Sequence, residues 1–551
     1  MVANGNGVIG RVVATESSPT TSTTLKFWIN DSVKARPFDV VRIQHIGATA
    51  DESSSSYAMI TDLEHLTDGA GFLSSYVSSD FGDVSVSPRS ERIGTTIAHA
   101  EVMYNSSGIE MPIRDSAPVF WADADGVREA LGLKSFKKPV PAGFMSMSNG
   151  EIVDINFEAD FLIGPEGAHL NIAGISGLAT KTSYAMFLLS ALQQKFTDDV
   201  SIIIFNVKGR DLLSIDEERD NLTDSIKRGW KHCGLESIPF REVTYFHPYG
   251  DDPGRNYTQS RVSHQTLDAQ IKADNAYNYF YNVEEGLKRL PLLFSDVDDP
   301  NYTMENCCDS AMNFTVSNWE DLKEEVKKRT KSGLSGDIPV QSWRKFNRLL
   351  SIRIDNDIFE ERAQTKATER RQKSIPEIIR SLAPGKVMVI DIEPLPDYLQ
   401  CLVVGDVVQS VLDAKIGNFE GVNAKKLGKI VIFADELNKY APKTGSGGRT
   451  LTNTLLEVTE RGRSLGTVLF AAEQFRSGVH DRVLGNCSTA AFGRTNPIET
   501  KKGQEYRMLS RPQISSLMRL PKGTLMLQHP LFTASVIKAQ FPEPAYKQPY
   551  P

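Results

Sequence analysis

The sequence predicts an α/β protein with a doubly wound, mostly parallel sheet, a small all-β domain before it and a mostly helical insertion. Residues 1–155 hold short runs of alternating apolar and polar residues, as half-buried strands do. After residue 156, nearly continuous apolar runs alternate with helical stretches, which is typical of strands that helices cover on both faces. We therefore expect a core formed by residues 156–250 and 386–551, with the charged segment 251–385 inserted as helices.

The N-terminal domain is predicted from four alternating runs: GVIGRVVATES, TTLKFWIN, FDVVRIQHI and SYAMITDLEHL. Clusters of Gly, Ser, Asp and Pro separate these runs, and such residues favour turns. Short strands at this spacing predict a small barrel or sandwich.

The core is predicted from the buried-strand runs SIIIFNVKG, KVMVIDIE, KIVIFADE and GTVLFAAEQ, with helical stretches between the later ones. Two further runs, AAFGRT and GTLMLQH, could add edge strands.

The stretch GISGLATKTS, residues 174–183, stands between an apolar strand and a helical pattern. A phosphate-binding loop has glycines six residues and one residue before its lysine, but Ile175 and Thr180 occupy those positions. Lys181 and Thr182 are nevertheless in the order that binds phosphate and Mg²⁺. An ordinary strand–turn–helix corner is the structural alternative. The candidate phosphate-binding residues are Gly174, Ser176, Gly177, Thr180, Lys181, Thr182 and Ser183.

A second element supports the nucleotide site. In the run KIVIFADE, four apolar residues come before Asp435 and Glu436, which stand at the expected end of a buried strand. In P-loop ATPases an acid at this point holds Mg²⁺, and a neighbouring residue positions the attacking water. Two adjacent carboxylates at a buried strand end are costly unless a cation or hydrogen-bond donors compensate them.

A third element follows in TERGRSLGTVLFAAEQ. Gln474 ends this run and is placed to sense a γ-phosphate or to orient water. Arg461 and Arg463 precede it on an exposed helix end or turn, from which an arginine can reach a phosphate in a neighbouring subunit. A polar strand end and a surface salt bridge are the structural alternatives.

Composition sets the class of protein. The chain has 551 residues and a net charge of −7, which predicts several domains and gives no support to an extensively basic nucleic-acid-binding surface. No apolar run is long enough for a membrane span, and no secretory signal is visible. The five cysteines are scattered without CxxC pairs, which favours a reducing cytoplasm over disulfides or structural zinc.

The order of these parts resembles the HerA family of ATPases, relatives of FtsK-type DNA pumps. The resemblance includes HLNIAGISGLATKTSYAMFLL, VMVIDIE, VIFADELNKY, TERGRSLGTVLFAAEQ and the closing LPKGTLMLQHPLFTASVIKAQFPEP, and it covers nearly the whole chain. It implies a RecA-like P-loop ATPase core behind a β-barrel, with ATP and Mg²⁺ as cofactors. By position, Lys181 and Thr182 would bind phosphate and Mg²⁺, Asp435 would coordinate the metal, and Glu436 would be the catalytic base.

The resemblance also implies a homo-hexameric ring that passes double-stranded DNA through its pore. Gln474 would be the sensor and Arg463 the preferred arginine acting across the subunit interface, with Arg461 as the other candidate. HerA proteins work with a nuclease in DNA end resection, and others are paired with effectors in anti-phage defence. The expected partner is therefore a NurA-like nuclease, a sirtuin-like NAD-degrading enzyme or another effector.

Two other functions remain open from the sequence. Thr180 departs from the glycine that the family's loop has before its lysine, so the ring would be either a slow ATPase or an ATP-binding scaffold that assembles an effector. A monomeric P-loop kinase or metabolic enzyme is the third hypothesis.

Overall fold

The computed structural model describes residues 7–47, 54–69, 71–78, 80–85, 93–108, 110–175, 180–299, 301–331, 333, 336–362, 370–419, 422–443, 449–503 and 505–548. A barrel and a large sheet account for all the named strands in these ranges.

The first six strands close into an antiparallel barrel in the order β1-β2-β5-β4-β3-β6, with β6 pairing back onto β1. Alternation along β2 shows why: Leu25, Phe27 and Ile29 point into the barrel core, while Trp28 between them is partly exposed. The barrel strands are β1 Gly10–Val13, β2 Thr24–Ile29, β3 Val40–Gln44, β4 Ser55–Thr67, β5 Gly94–Asn105 and β6 Pro118–Trp121.

The other thirteen strands form one sheet in the order β13-β12-β11-β14-β10-β15-β16-β9-β17-β18-β19-β7-β8. The strands from β13 to β17 are parallel, and the remaining four continue the sheet in antiparallel pairs. Their bounds are β7 Pro139–Ser146, β8 Ile152–Glu158, β9 Leu170–Ala173, β10 Val200–Asn206, β11 Val243–Pro248, β12 Ala276–Tyr279, β13 Gln372–Lys373, β14 Val387–Asp391, β15 Lys429–Asp435, β16 Thr467–Glu473, β17 Thr489–Phe492, β18 Thr524–Gln528 and β19 Ile537–Gln540.

Both faces of the parallel sheet are buried, which explains its continuous apolar runs. In β15, Val431 and Phe433 join one apolar core, and Ile430 and Ile432 join the other. The helix Thr180–Lys195 covers the first face, and the helix Asp397–Ile416 covers the second.

Helices are the main regular elements of the inserted segment. Those between Val283 and Arg353 pack on the second core through side chains such as Trp343 and Phe346. None of the helices in the described ranges is both long and apolar enough to cross a bilayer. The α-helices described are Phe72–Ser78, Ala124–Ala130, Ala159–Leu162, Thr180–Lys195, Asp224–His232, His264–Lys272, Val283–Lys288, Leu290–Leu293, Thr303–Met312, Trp319–Arg329, Val340–Arg353, Ile375–Arg380, Asp397–Ile416, Leu437–Tyr440, Arg449–Leu465, Asp481–Gly485, Pro497–Lys502 and Arg511–Leu517.

The predicted fold class, a small barrel before an α/β core with a helical insertion, is confirmed. The sheet nevertheless takes in strands from beyond the expected core. β7 and most of β8 lie before residue 156 yet pair in the sheet, and β12 and β13 lie within 251–385 yet extend its parallel end. AAFGRT and GTLMLQH do form strands, β17 and β18, but neither lies at an edge, because β19, β7 and β8 continue the sheet beyond them.

Candidate functional site

Polar side chains gather at the carboxyl ends of four neighbouring parallel strands, in the order β10, β15, β16, β9. In open α/β sheets this edge is where ligands bind, because the loops leave a crevice beyond the strands. The strand ends bring together Lys181, Lys208, Asp435, Glu436 and Glu473, whose charges act on one another.

The chain leaves β9 through a tight contact at Gly174. A Cβ atom there would lie 3.3 Å from the Cα of Gly493, so a side chain would crowd the adjacent strand end. The next amide, of Ile175, donates to the carbonyl of Arg494 at 2.8 Å. Ser176 and Gly177, two of the expected phosphate-binding residues, lie outside the described residues.

Lys181 sits in the first turn of the helix Thr180–Lys195, which is called the Lys181 helix below. Its side chain is buried, with the residue only 5% exposed, and its Nζ has no hydrogen-bond partner among the described residues. Burial lowers the pKa of Lys181, while the charges of Asp435 and Glu436 oppose that shift. A buried ammonium group without a partner is costly, so this position suits an anionic ligand that supplies oxygen atoms.

Thr182 and Asp435 form a direct contact across the site. The Thr182 hydroxyl donates to Asp435 Oδ2 at 3.1 Å, and the amide of Glu436 donates to Asp435 Oδ1 at 2.9 Å. Asp435 is buried at the end of β15. A hydroxyl and a carboxylate are hard oxygen donors of the kind that Mg²⁺ takes when its other ligands are water and phosphate. The residues present therefore fit a Mg²⁺–nucleotide complex.

Glu436 has an unusual backbone and a close ionic partner. Its φ of 60° and ψ of 47° lie in the left-handed region, which is uncommon for a residue with a side chain. The ammonium group of Lys208 donates to Glu436 Oε1. Burial lowers the pKa of Lys208, but this hydrogen bond and the two neighbouring carboxylates outweigh it and raise the pKa overall.

The last residue of β16 is Glu473, not Gln474. Glu473 is fully buried and accepts two hydrogen bonds from the Asn171 side-chain amide, at 2.8 and 2.9 Å. Arg476 is also buried and donates to the Asn171 side-chain oxygen. Burial raises the pKa of Glu473 to about 8, against the opposing effects of Arg476, Asn171 and Lys181. Gln474 follows the strand and is only half-buried.

Arg461 and Arg463 lie on the opposite side of the sheet from the site, near the amino ends of the parallel strands. They end the helix Arg449–Leu465, which runs into the amino end of β16. Arg461 pairs with Glu457 at 3.1 Å on the same exposed helix, and Arg463 donates to the carbonyl of Glu166 at 3.0 Å. A seven-residue strand spans roughly 20 Å, so the structure does not bring either arginine to the Lys181 cluster of the same chain.

Thr180 and Ser183 complete the set of predicted residues. They are three positions apart in the first turn of the Lys181 helix, and both line a cavity of about 410 Å³.

Four residues at the site were not expected from the sequence: Lys208, Asn171, Glu473 and Arg476. For Lys208 a signal existed, because it stands two residues beyond the buried run that forms β10. For Glu473 it did not, since only the folded structure shows that its charge acts on Lys181 and that its carboxylate lies beside Asn171.

No protein-family model matches the chain, and no curated protein matches it. Among solved structures, the bacterial conjugative coupling protein TrwBdeltaN70 is 13% identical with a TM-score of 0.42, over 72% of this chain and 89% of that one. VirB4 of Thermoanaerobacter pseudethanolicus is 12% identical with a TM-score of 0.41, over 74% of this chain and 96% of that one. The genome packaging NTPase B204 from Sulfolobus turreted icosahedral virus 2, in complex with ATP-gammaS, is 15% identical with a TM-score of 0.20, over 28% of this chain and 65% of that one. At this level of similarity, no activity, substrate or partner of these proteins can be assigned to this chain.

Proposed function

We propose that this protein binds ATP with Mg²⁺ at the Lys181 cluster and hydrolyses it. The observation that carries the proposal is the buried Lys181 Nζ, which has no hydrogen-bond partner in the part of the chain that the structure describes, beside the Thr182–Asp435 contact. A cation and a hydroxyl at the start of a long helix, with a carboxylate facing them from the end of β15, match the needs of a phosphate chain with a bound metal.

Each residue has a distinct role in this proposal. Lys181 Nζ binds the terminal phosphates, and the first amides of the Lys181 helix add hydrogen bonds to phosphate oxygens. Thr182 and Asp435 hold Mg²⁺, which neutralises charge on the phosphate oxygens. Glu436 accepts a proton from the attacking water, for which its carboxylate must first leave Lys208.

Glu473 reduces the electrostatic cost of binding a polyanion at the carboxyl ends of the parallel strands. With a pKa of about 8, it is mostly uncharged near neutral pH, so Asp435 and Glu436 are the acids that oppose phosphate there. Asn171 holds the Glu473 side chain in place by a hydrogen bond, and Arg476 in turn donates a hydrogen bond to Asn171.

The motor function is the finer part of the proposal. We propose a homo-hexameric ring that translocates double-stranded DNA and acts with a nuclease or NAD-degrading effector in anti-phage defence. Two observations support this proposal: the order of the sequence motifs resembles that of the HerA family, and Arg461 and Arg463 are exposed. Arg461 and Arg463 are exposed at the far edge of the sheet, so a phosphate that either one contacts would belong to another subunit.

The second candidate is an ATP-binding ring that holds an effector and turns over little ATP. The ion pair between Lys208 and Glu436 favours it, because a catalytic base that is already paired is less available to water.

One experiment separates these functions. The mass of the native assembly is measured with and without ATP, and ATP hydrolysis is then measured with and without duplex DNA. The motor predicts a six-subunit mass and DNA-stimulated turnover, which Glu436→Gln lowers by about 10²–10⁴-fold while ATP stays bound. The control Glu320→Gln changes a surface acid paired with Lys323 and should have no effect. A ring without turnover supports the scaffold, and a monomer that ignores DNA overturns the motor.

A further inference from the structure

A cavity of about 410 Å³ opens beside the first turn of the Lys181 helix, and the site described above leaves it unused. Thr180 and Ser183 form one wall. The opposite walls come from the helix Asp224–His232 and from residues 540–548 near the carboxyl end of the chain. Its volume falls within the range of about 300–1,000 Å³ that small-molecule sites occupy.

The helical period divides the first turn into two faces. Thr180 and Ser183 are three residues apart and therefore share a side of the helix, while Lys181 and Thr182 lie between them on the side that meets the acids. A phosphate chain held at the start of this helix thus has the carboxylates on one side and the cavity on the other.

The chemistry of the walls suits a flat heteroaromatic ring. Ile226, Phe541 and Pro542 supply apolar surface, and the amide side chains of Gln540 and Gln548 supply donors and acceptors. This combination of apolar faces and a few edge hydrogen bonds is what a nucleobase needs. Lys522 stands in the same lining and adds positive charge.

The wall formed by the carboxyl-terminal segment is tied to the rest of the fold. The indole N–H of Trp230 donates to the carbonyl of Glu543 at 2.9 Å, and Arg219 donates to the carbonyl of Pro544 at 3.0 Å. The amide of Lys547 donates to the carbonyl of Glu217 at 2.8 Å. A wall fixed in this way is preorganised, so little conformational entropy is lost when a ligand enters.

We propose that this cavity takes the base and ribose of the bound nucleotide, and that the segment 540–548 with Ser225 and Ile226 determines how much the nucleoside adds to affinity. The inference rests on the proposed function, because the phosphates must bind at Lys181 for the nucleoside to lie here.

The test compares ATP, GTP, CTP and inorganic tripolyphosphate by titration calorimetry with Mg²⁺. Ser225 is exposed at the mouth of the cavity, so Ser225→Trp fills the mouth without disturbing a core. We expect it to weaken ATP binding at least tenfold and to leave tripolyphosphate binding within twofold. The control is Lys227→Trp, which places the same side chain at an exposed position of the same helix, outside the cavity lining. It should bind both ligands as the unmodified chain does.

Thermal melting of both variants checks that each is folded. If the unmodified chain binds ATP no more tightly than tripolyphosphate, or if Ser225→Trp leaves ATP binding unchanged, the nucleoside pocket is wrong while the phosphate site stands. An equal loss for ATP and tripolyphosphate also overturns it, since the cavity would then act on the phosphates. If the unmodified chain binds neither ligand, the proposed function itself fails.

Discussion

The ammonium group of Lys208, just beyond β10, donates a hydrogen bond to the carboxylate of Glu436, just beyond β15. The two residues are 228 positions apart, and they meet because β10 and β15 are parallel neighbours in the sheet. Glu436 is the proposed base, so this contact decides whether the carboxylate faces water or a cation. In the proposed reaction this pair would therefore restrain hydrolysis, and substitution of Lys208 would release the restraint.

Removing that restraint should raise ATP turnover. An ion pair with a half-exposed lysine contributes at most about 1 kcal/mol, so Lys208→Met should increase kcat by up to about fivefold. The control Lys439→Met removes a lysine three residues beyond Glu436 that pairs instead with Asp397. A fall in kcat with Lys208→Met alone would show that Lys208 assists the reaction instead of restraining it.

Replacing Lys181 should have opposite effects on two quantities: the stability of the nucleotide-free chain should rise, and ATP binding should be lost. Lys181→Met removes an ammonium group that has no hydrogen-bond partner among the described residues, so the nucleotide-free chain should gain about 1 kcal/mol in free energy of unfolding. ATP at one hundred times its dissociation constant should stabilise the unmodified chain by about 2.7 kcal/mol and the variant not at all. Denaturant melts with and without ATP measure both quantities.

Lys195→Met is the matched control, because Lys195 is exposed in the last turn of the same helix. It should keep the stabilisation by ATP. A Lys181→Met variant that is still stabilised by ATP would remove Lys181 from the site.

The raised pKa of Glu473 predicts a pH dependence of stability. Burial moves this pKa from 4.5 to about 8, so the folded chain holds a proton there that the unfolded chain releases. The free energy of unfolding should therefore fall as pH rises from about 4.5 to about 8, and Glu473 should contribute no further change above that range.

Glu473→Gln removes this titration. The free energy of unfolding of the variant, relative to that of the unmodified chain, should therefore rise by about 3 kcal/mol between pH 5 and pH 8. Urea melts at four pH values measure that difference, in which the contributions of other titrating groups cancel. A difference that does not vary with pH would show that Glu473 is ionised within the fold.

A ring with shared sites predicts complementation between two inactive variants. Arg463→Ala should lower turnover by about 10³-fold or more if Arg463 acts across the interface. Mixed with Lys181→Ala subunits, it should regain measurable activity, because some interfaces then combine an intact lysine with an intact arginine. Arg461→Ala, tested in the same way, identifies which arginine acts.

Arg482→Ala is the control for surface charge, since Arg482 is exposed and paired with Glu460. It should keep full activity alone. Mixtures of the Arg463 and Lys181 variants that remain inactive would count against a site shared between subunits.

The sequence predicted the main layers of this fold because their signals are local. Alternation in TLKFWI and continuous burial in KIVIFAD each specify how many faces of a strand are covered. The extent of the sheet could not be predicted in the same way. β7 and β13 join it only through pairing with distant strands, and such pairing leaves little trace in either partner's own sequence.

The sequence by itself determined that Lys181, Thr182, Asp435 and Glu436 stand where strands give way to loops or helices. Only the tertiary structure decided which of these ends are neighbours, because strand order is a property of the whole sheet. It placed Lys208 against Glu436, brought Glu473 close enough to act on Lys181, and left Arg461 and Arg463 towards the amino ends of the parallel strands. The physical reason is that parallel strands align their ends in space through hydrogen bonds between segments that, for β10 with β15 and β16 with β9, are hundreds of residues apart.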